Sequence, residues 1–295
     1  KDQNVFDIMQ GVGIVLAVKN GMKSGELADV YHADIFGTRQ HKFETLIDDV
    51  NFEKIQYDTK SVYFVPKNYE SENKYRQCVS VEKLFIQNST GIATARDKVV
   101  IDEDATSLKA RIARFADLSY SDDDTRKWLF GNKKDGKYKA GDSRGWKMEL
   151  ARATVRNENF TDFIKPVTYR PFDTRYIYFS SSMVDWGREK LMNNYIVGDN
   201  IGLLFSRMTK GKDFAHVGIT QNISEVIYLS PLTGTNAFNA PLYIYHEDGT
   251  RTPNFNADEL KKLTANISQD FAPEDVLDYV YGVLHSPSYR KTYKE

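Results

Sequence analysis

The chain has 295 residues, 40 Lys+Arg against 41 Asp+Glu, 41% hydrophobic residues and 13% aromatics. That length fits one large domain or two ordinary ones, and the composition supports a sizeable core rather than disorder. No apolar run approaches the roughly 20 residues needed to cross a bilayer. The single Cys78 excludes a disulfide framework and a cysteine-rich zinc site; it fits a reducing compartment, and a cytoplasmic location with no membrane partner is expected. The near-neutral charge excludes a uniformly basic nucleic-acid coat but not a basic patch balanced elsewhere.

The chain opens on Lys1 and no signal peptide follows. Residues 12–18 (VGIVLAV) form a short continuous apolar run, which predicts a strand buried on both faces. A second early strand is expected over 28–36. A buried strand so close to the start needs neighbours on both sides, so the chain reads as cut from a larger protein inside a sheet. Residues 39–50 predict a helix with Phe43, Leu46, Ile47 and Val50 on one face, 61–66 a strand ended by Pro66, and 67–77 a polar loop. A strand–loop–strand follows around 83–101, with Thr90-Gly91 as its turn signal.

Helices are expected over 104–117 and 121–130. The second has Ser121 as N-cap and Asp122, Asp123 and Asp124 in its first turn, where carboxylates suit the positive end of the helix dipole. Residues 131–143 are rich in Gly and Lys and read as an exposed loop, followed by a helix over 146–157. From Arg126 to Arg156 there are ten Lys/Arg against three Asp/Glu, the largest charge bias in the chain. Beyond residue 165 strands predominate (167–180, 201–208, 214–220, 225–230, 241–246), interrupted by a helix over 187–196. Two helices close the chain, 256–267 with Asn256 as N-cap and 273–285 with Pro273 near N1. Segregated helices and antiparallel-type strands predict an α+β class for residues 60–295.

Catalytic signatures are missing. There is no Gly-rich phosphate loop, no HExxH and no GxSxG, and Gly11-Val12-Gly13 is a lone GxG inside an apolar run. The five histidines are scattered without ligand spacing. The residues alone describe a binding module.

Several segments together resemble one family. NVFDIMQGVGIVLAVKN and DVYHADIFGTRQHKFETL look like the last part of the methyltransferase domain of type ISP and type IIG-like restriction–modification enzymes. NSTGIATARDKVVID, SRGWKMELAR, VTYRPFDTRYIYFS, NIGLLFSR, APLYIYHEDGTRTPNF and DYVYGVLHSPSYRKTYKE follow in the order of that family's C-terminal region. The resemblance implies that 1–59 are a remnant of an amino-methyltransferase domain, with terminal strands of its α/β sheet, and 60–295 a mixed or antiparallel-sheet target-recognition domain. It implies duplex DNA as partner, adenine N6 as the methylated atom, and the remainder of a methyltransferase/helicase polypeptide as second partner. The Asn-Pro-Pro-Tyr motif and the glycine loop for S-adenosylmethionine are both missing. No catalysis and no cofactor are therefore expected in this segment; S-adenosylmethionine would belong to the parent's methyltransferase domain.

The candidate DNA contacts follow from charge and from loop position. Lys133, Lys134, Lys137 and Lys139 lie on the Gly-flanked loop, with Arg144 in the SRGW element and Trp146 as a helix anchor in the core. Thr94 and Arg96 follow a glycine that could bend a loop toward a base. Arg170 and Arg175 lie in YRPFDTR, where Arg170 and Asp173 could instead pair internally at the bend. Arg188 and Lys190 follow Gly187, which would leave a helix N-terminus open to phosphate. Arg207, Lys210 and Lys212 follow an apolar strand, and Gln221 and Asn222 are further polar candidates. Arginine would suit guanine edges and lysine the phosphates. Two rival expectations remain: a stand-alone small-molecule transferase with a pocket lined by strands such as 176–178, and an interaction scaffold that dimerises through exposed N-terminal strands.

Overall fold

The computed structural model describes residues 2–6, 8–19, 21, 27–57, 63–67, 69–131, 137–208, 214–230 and 234–293. The chain divides into two units, 1–77 and 78–295, where the sequence reading drew its boundary between 59 and 60.

In the first unit β1 (Tyr31–His32) pairs antiparallel with β2 (Glu53–Lys54), and α1 (Arg39–Ile47) lies between them in sequence. Thr38 caps α1 by accepting from the His41 N–H (3.3 Å). Four expectations fail here. Residues 12–18 form no strand, and Ile14, Val15, Leu16 and Val18 are exposed. The strand expected over 28–36 shrinks to β1. Residues 63–66 are irregular, while 61 and 62 lie outside the described residues. The polar stretch read as a loop is instead a helix, α2 (Tyr69–Gln77), carried by the i,i+4 pairs Glu70–Lys74 (2.8 Å) and Glu72–Arg76 (2.6 Å).

The second unit is α+β and is built on two four-stranded sheets and one two-stranded sheet. Its elements begin with α3 (Val81–Leu84), β3 (Ser89–Thr90), α4 (Asp97–Val100), β4 (Ile101–Asp102), α5 (Ala105–Ala116), α6 (Asp122–Phe130), α7 (Met148–Val155) and α8 (Phe160–Phe163). The hairpin β5 (Ile164–Arg170) and β6 (Asp173–Tyr178) follows, then α9 (Glu189–Met192), β7 (Gly202–Phe205), β8 (Val217–Thr220) and β9 (Ile223–Ser224). The unit ends with β10 (Phe238–Pro241), β11 (Tyr243–Tyr245), β12 (Arg251–Pro253), α10 (Ala257–Leu263), α11 (Pro273–His285) and α12 (Pro287–Thr292).

One sheet has the order β4-β6-β5-β9, antiparallel except for the parallel β5·β9 pair. Its core joins Val167, Ile177 and Tyr178 to Leu108, Ile112 and Phe115 of α5 and to Met148 and Val155 of α7. The other four-stranded sheet, β3-β10-β7-β8, is antiparallel throughout. Leu203, Phe205 and Ala240 of this sheet pack with Leu277, Val280 and Leu284 of α11. Each buried aliphatic or aromatic side chain contributes about 1.5–3 kcal/mol relative to exposure.

The caps read from sequence are present: Ser121 accepts from the Asp124 N–H (3.1 Å), and Asn256 accepts from the Asp258 and Glu259 N–H groups (3.0 and 3.1 Å). Pro273 opens α11, where a missing N–H costs nothing.

Candidate nucleic-acid interface

Three loops beside the β4-β6-β5-β9 sheet are tied together by hydrogen bonds and an ion pair. The first is residues 93–97. It is held close to the sheet because Gly91 lets two backbones touch: a Cβ there would stand 2.7 Å from the Ser224 oxygen and the Glu225 carbonyl carbon. Gly91 therefore serves close approach rather than a turn. Ile92 N–H donates to the Ser224 oxygen (2.8 Å) and Val226 N–H to the Ile92 oxygen (2.9 Å).

This packing corrects two of the expected DNA contacts. Thr94 is buried; its hydroxyl donates to the Asp97 carboxylate and accepts from the Arg96 N–H (3.1 Å). The Arg96 side chain is 3% exposed and ion-pairs with Asp185 (2.5 Å). Its guanidinium also donates to the Thr94 and Met183 carbonyls (3.0 and 2.8 Å) and lies 4.1 Å from the centre of the Trp146 ring. Neither side chain is free to reach a base edge. Trp146 itself is a core anchor, as read from sequence. It is buried, edge-on to Phe130, and its indole N–H donates to the Ser182 oxygen (2.7 Å).

The second loop is the hairpin tip. Arg170 and Asp173 face each other in the backbone register, and Pro171 and Phe172 form the turn. The side-chain pairing differs from the expected Arg170–Asp173 pair. Arg170 reaches Glu225 (2.5 Å), whose side chain is 5% exposed, while Arg175 grips both oxygens of Asp173 (3.0 Å each). Tyr169 lies between the two guanidinium groups, 3.9 and 4.6 Å from its ring centre, and its hydroxyl donates to Asp97 (2.9 Å). Burial raises the Glu225 carboxyl above its ordinary value, against the opposing Ile227 N–H and Arg170. Burial and the Asp97 charge raise the Tyr169 phenol. Both arginines are thus held in ion pairs that fix the hairpin. Phe172 is fully exposed, at φ +62°.

The third loop is residues 183–190. Trp186 exchanges two backbone hydrogen bonds with Ala93 (3.0 and 3.1 Å), yet the residue is 64% exposed. Arg188 has φ +56° and lies 5.2 Å over that ring. The helix expected over 187–196 is only the four residues of α9, followed by a 3-10 turn. Its N-terminus is not open at Gly187, because a Cβ there would meet the Glu189 carboxylate at 2.4 Å. Arg188 and Lys190 are exposed and form no ion pair among the described residues. Lys98, exposed on α4, is likewise without one.

The basic stretch keeps less free charge than its composition promises. Arg126 is buried between Asp142 (2.8 Å) and Glu149 (2.8 Å). The Arg152 side chain is 2% exposed; it ion-pairs with Asp122 and donates to the Phe115, Asp117 and Tyr120 carbonyls (2.7, 2.7 and 3.0 Å). Lys139 pairs with Glu149 (3.0 Å). Burial would raise the Glu149 carboxyl, but its own backbone N–H, Lys139 and Arg126 outweigh that and hold it at about 2. Lys137 and Arg144 are exposed, Lys137 5.2 Å over the Tyr138 ring. Lys133 and Lys134 lie outside the described residues, as do Lys210 and Lys212. Arg207 is half-exposed, paired with Glu82 (3.1 Å) and stacked 3.9 Å from the Phe238 ring centre. Gln221 is exposed beyond β8, and Asn222 is partly buried.

The structure thus brings together 93–97, 169–175 and 183–190, and leaves Lys137, Lys139, Arg144 and Arg207 on other elements. Sequence reasoning missed Phe172 and Trp186. The signal for Phe172 was a bulky residue directly after a turn proline, where the backbone favours Gly.

The arrangement suits contact with an extended partner more than small-molecule chemistry. Among the described residues no group of three or more His, Cys, Asp or Glu could hold a metal. An open recess of about 230 Å³ is lined by Asn200, Tyr243, Arg251 and Glu274, where the Tyr243 hydroxyl donates to Glu274 (2.7 Å). No helix among the described residues is long and apolar enough to cross a membrane.

Among solved structures the fold is similar to that of DrdV in a DNA complex (TM-score 0.59, 22% identity, 90% of this chain and 27% of that one). It is also similar to a nuclease-deletion mutant of the Type ISP restriction-modification enzyme LlaGI with a DNA substrate mimic (0.54, 22%, 90% and 25%). A third is the ATP-dependent Type ISP restriction-modification enzyme LlaBIII bound to DNA (0.58, 19%, 90% and 18%). The chain spans roughly a quarter or less of those proteins. No curated protein matches it. A family model, the Type ISP C-terminal specificity domain, matches residues 83–295, and the chain belongs to that family.

Proposed function

We propose that residues 78–295 recognise the target sequence in duplex DNA for a restriction–modification enzyme that methylates adenine N6. One observation carries this reading. The chain belongs to a specificity-domain family over residues 83–295, and 90% of it shares its fold with parts of proteins that were each solved with DNA or a DNA mimic. Within this unit the face at residues 93–97, 169–175 and 183–190 offers exposed aromatic and cationic side chains on braced loops. Lys137 and Arg144 supply further charge for phosphates. The remainder of a longer polypeptide would supply methyl transfer and S-adenosylmethionine. The target base would be taken out of the stack for that chemistry.

Fluorescence anisotropy with a labelled duplex of about 30 base pairs tests the binding. Affinity should fall linearly in log–log form with salt, at a slope of about −0.9 per phosphate neutralised. A flat titration at low salt overturns the reading. The adenine assignment is tested separately: DNA from cells expressing the complete enzyme should carry N6-methyladenine at one sequence motif, and unmodified adenine at every motif refutes it.

A further inference from the structure

Among the described residues, three other than glycine have positive φ: Ala95 (59°), Phe172 (62°) and Arg188 (56°). All three are exposed. They are far apart in sequence, yet one network joins their loops. Asp97 accepts from Thr94 and from the Tyr169 hydroxyl (2.9 Å), tying the first loop to the hairpin. Ala93 and Trp186 exchange backbone hydrogen bonds, and Arg96 reaches Met183 and Asp185, tying the first loop to the third. Strained positions persist only where their surroundings over-determine them, and they gather where a molecule meets a ligand.

Phe172 stands out within this set. It occupies the second central position of a two-residue turn, after Pro171, and a positive φ at that position is the pattern that favours glycine. Its side chain is large, apolar and fully in solvent. The hairpin beneath it is stiffened on both strands, by Arg170–Glu225 and by Arg175–Asp173. A strained, exposed aromatic on a rigid, narrow tip gains nothing for the fold.

We propose that Phe172 is a wedge that inserts into the base stack of duplex DNA. Trp186 and Arg188 on the adjoining loop contact the same duplex, and Lys98 and Lys190 face its phosphates. The proposal rests on the DNA-recognition reading above and names the residue that deforms the duplex. A protein partner fits less well, because apart from Pro171 the residues flanking Phe172 in the hairpin are charged or polar (Arg170, Asp173, Thr174, Arg175) rather than an apolar patch. Apolar side chains that part a base step are a known means of kinking DNA, and they read sequence through the cost of unstacking.

The strain gives the test opposite signs in two readouts. Phe172→Gly relieves the positive φ, so the 295-residue chain should melt at the same temperature or higher. The same variant should bind a labelled mixed-sequence duplex of about 30 base pairs about tenfold more weakly. The wild type should prefer a duplex with a central mismatch, where unstacking is already half done, and Phe172→Gly should lose that preference while Phe172→Leu keeps part of it. If the wild type binds and Phe172→Gly binds equally well with the same mismatch preference, the wedge is refuted and the DNA reading stands. A lowered melting temperature in Phe172→Gly also refutes it, by showing that the ring supports the fold. So does a loss of self-association by light scattering with unchanged DNA affinity, which would assign the tip to a protein contact. If the wild type binds no duplex, the recognition reading fails and the wedge fails with it.

Discussion

Residues 126–156 and residues 164–190 differ less in the cations they offer than their charge counts suggest: Lys137 and Arg144 stay exposed in the first, while Arg170 and Arg175 are paired in the second. The first stretch carries the largest positive excess in the chain. Yet Arg126 and Arg152 are buried, and Lys139 is tied to Glu149. The second stretch has no comparable excess, but it presents Arg188, Lys190, Trp186 and Phe172 to solvent. A charge count therefore measures how much cation a segment holds, not how much it offers. Pairing across the fold decides the difference, since a buried cation must find carboxylates or carbonyls.

The sharpest way to break this contrast is to remove a cation from the first stretch and look for a loss in binding instead of stability. Arg152→Ala strips hydrogen bonds from three carbonyls and unpairs Asp122, so it should destabilise the chain by on the order of 3–5 kcal/mol. A shift in the urea midpoint measures this; an unchanged midpoint would mean that Arg152 is not the strut described. Arg170→Ala should cost about 2–3 kcal/mol, less because Arg170 is partly exposed, and it leaves Glu225 buried and unpaired. Adding Glu225→Gln should recover part of that loss. No recovery would count against the pair.

Smaller effects sharpen the other side. Lys137→Glu with Arg144→Glu should leave stability within about 0.5 kcal/mol, because both side chains are exposed. The same double variant should weaken duplex binding alike for all sequences and reduce the salt slope by about one per lost phosphate contact. Sequence-dependent weakening would instead make them base readers. The least conspicuous test is acid titration. Glu149 titrates near 2 in the fold, below its ordinary 4.5, so its stabilising contribution is complete above about pH 4.5 and is lost as pH falls toward 2. Glu149→Gln should make stability less steep in pH across that window. A variant with the wild-type slope would show that Lys139 and Arg126 do not hold the carboxylate charged.

Local signals carried most of what was legible in the sequence. The helices α5, α6 and α11 have an apolar stripe and a recognisable first residue, and each was found within a residue or two. The helix α2 was missed because its stretch has no apolar stripe, although its two Glu-to-basic pairs were there to be read. Residues 12–18 show the reverse error. Apolar, β-branched side chains suit a strand, but a strand exists only with a hydrogen-bonded neighbour. The site was less legible than the fold. The partners of Arg96 and Arg170 lie 89 and 55 residues away, at Asp185 and Glu225, and no local pattern reveals such pairing. The exposed Phe172 contradicts its own turn chemistry, and such conflicts between local preference and structure are expected at functional positions.

Gly91 has a consequence beyond its own loop. The close backbone contact it permits fixes residues 93–97 against Ser224 and Glu225, and through them the bases of all three loops. Ala95, Phe172 and Arg188 at the tips are exposed. Substitutions at the three exposed tip positions should therefore leave folding intact, whereas any side chain at 91 meets the backbone at Ser224 and Glu225 and disturbs the loop bases together.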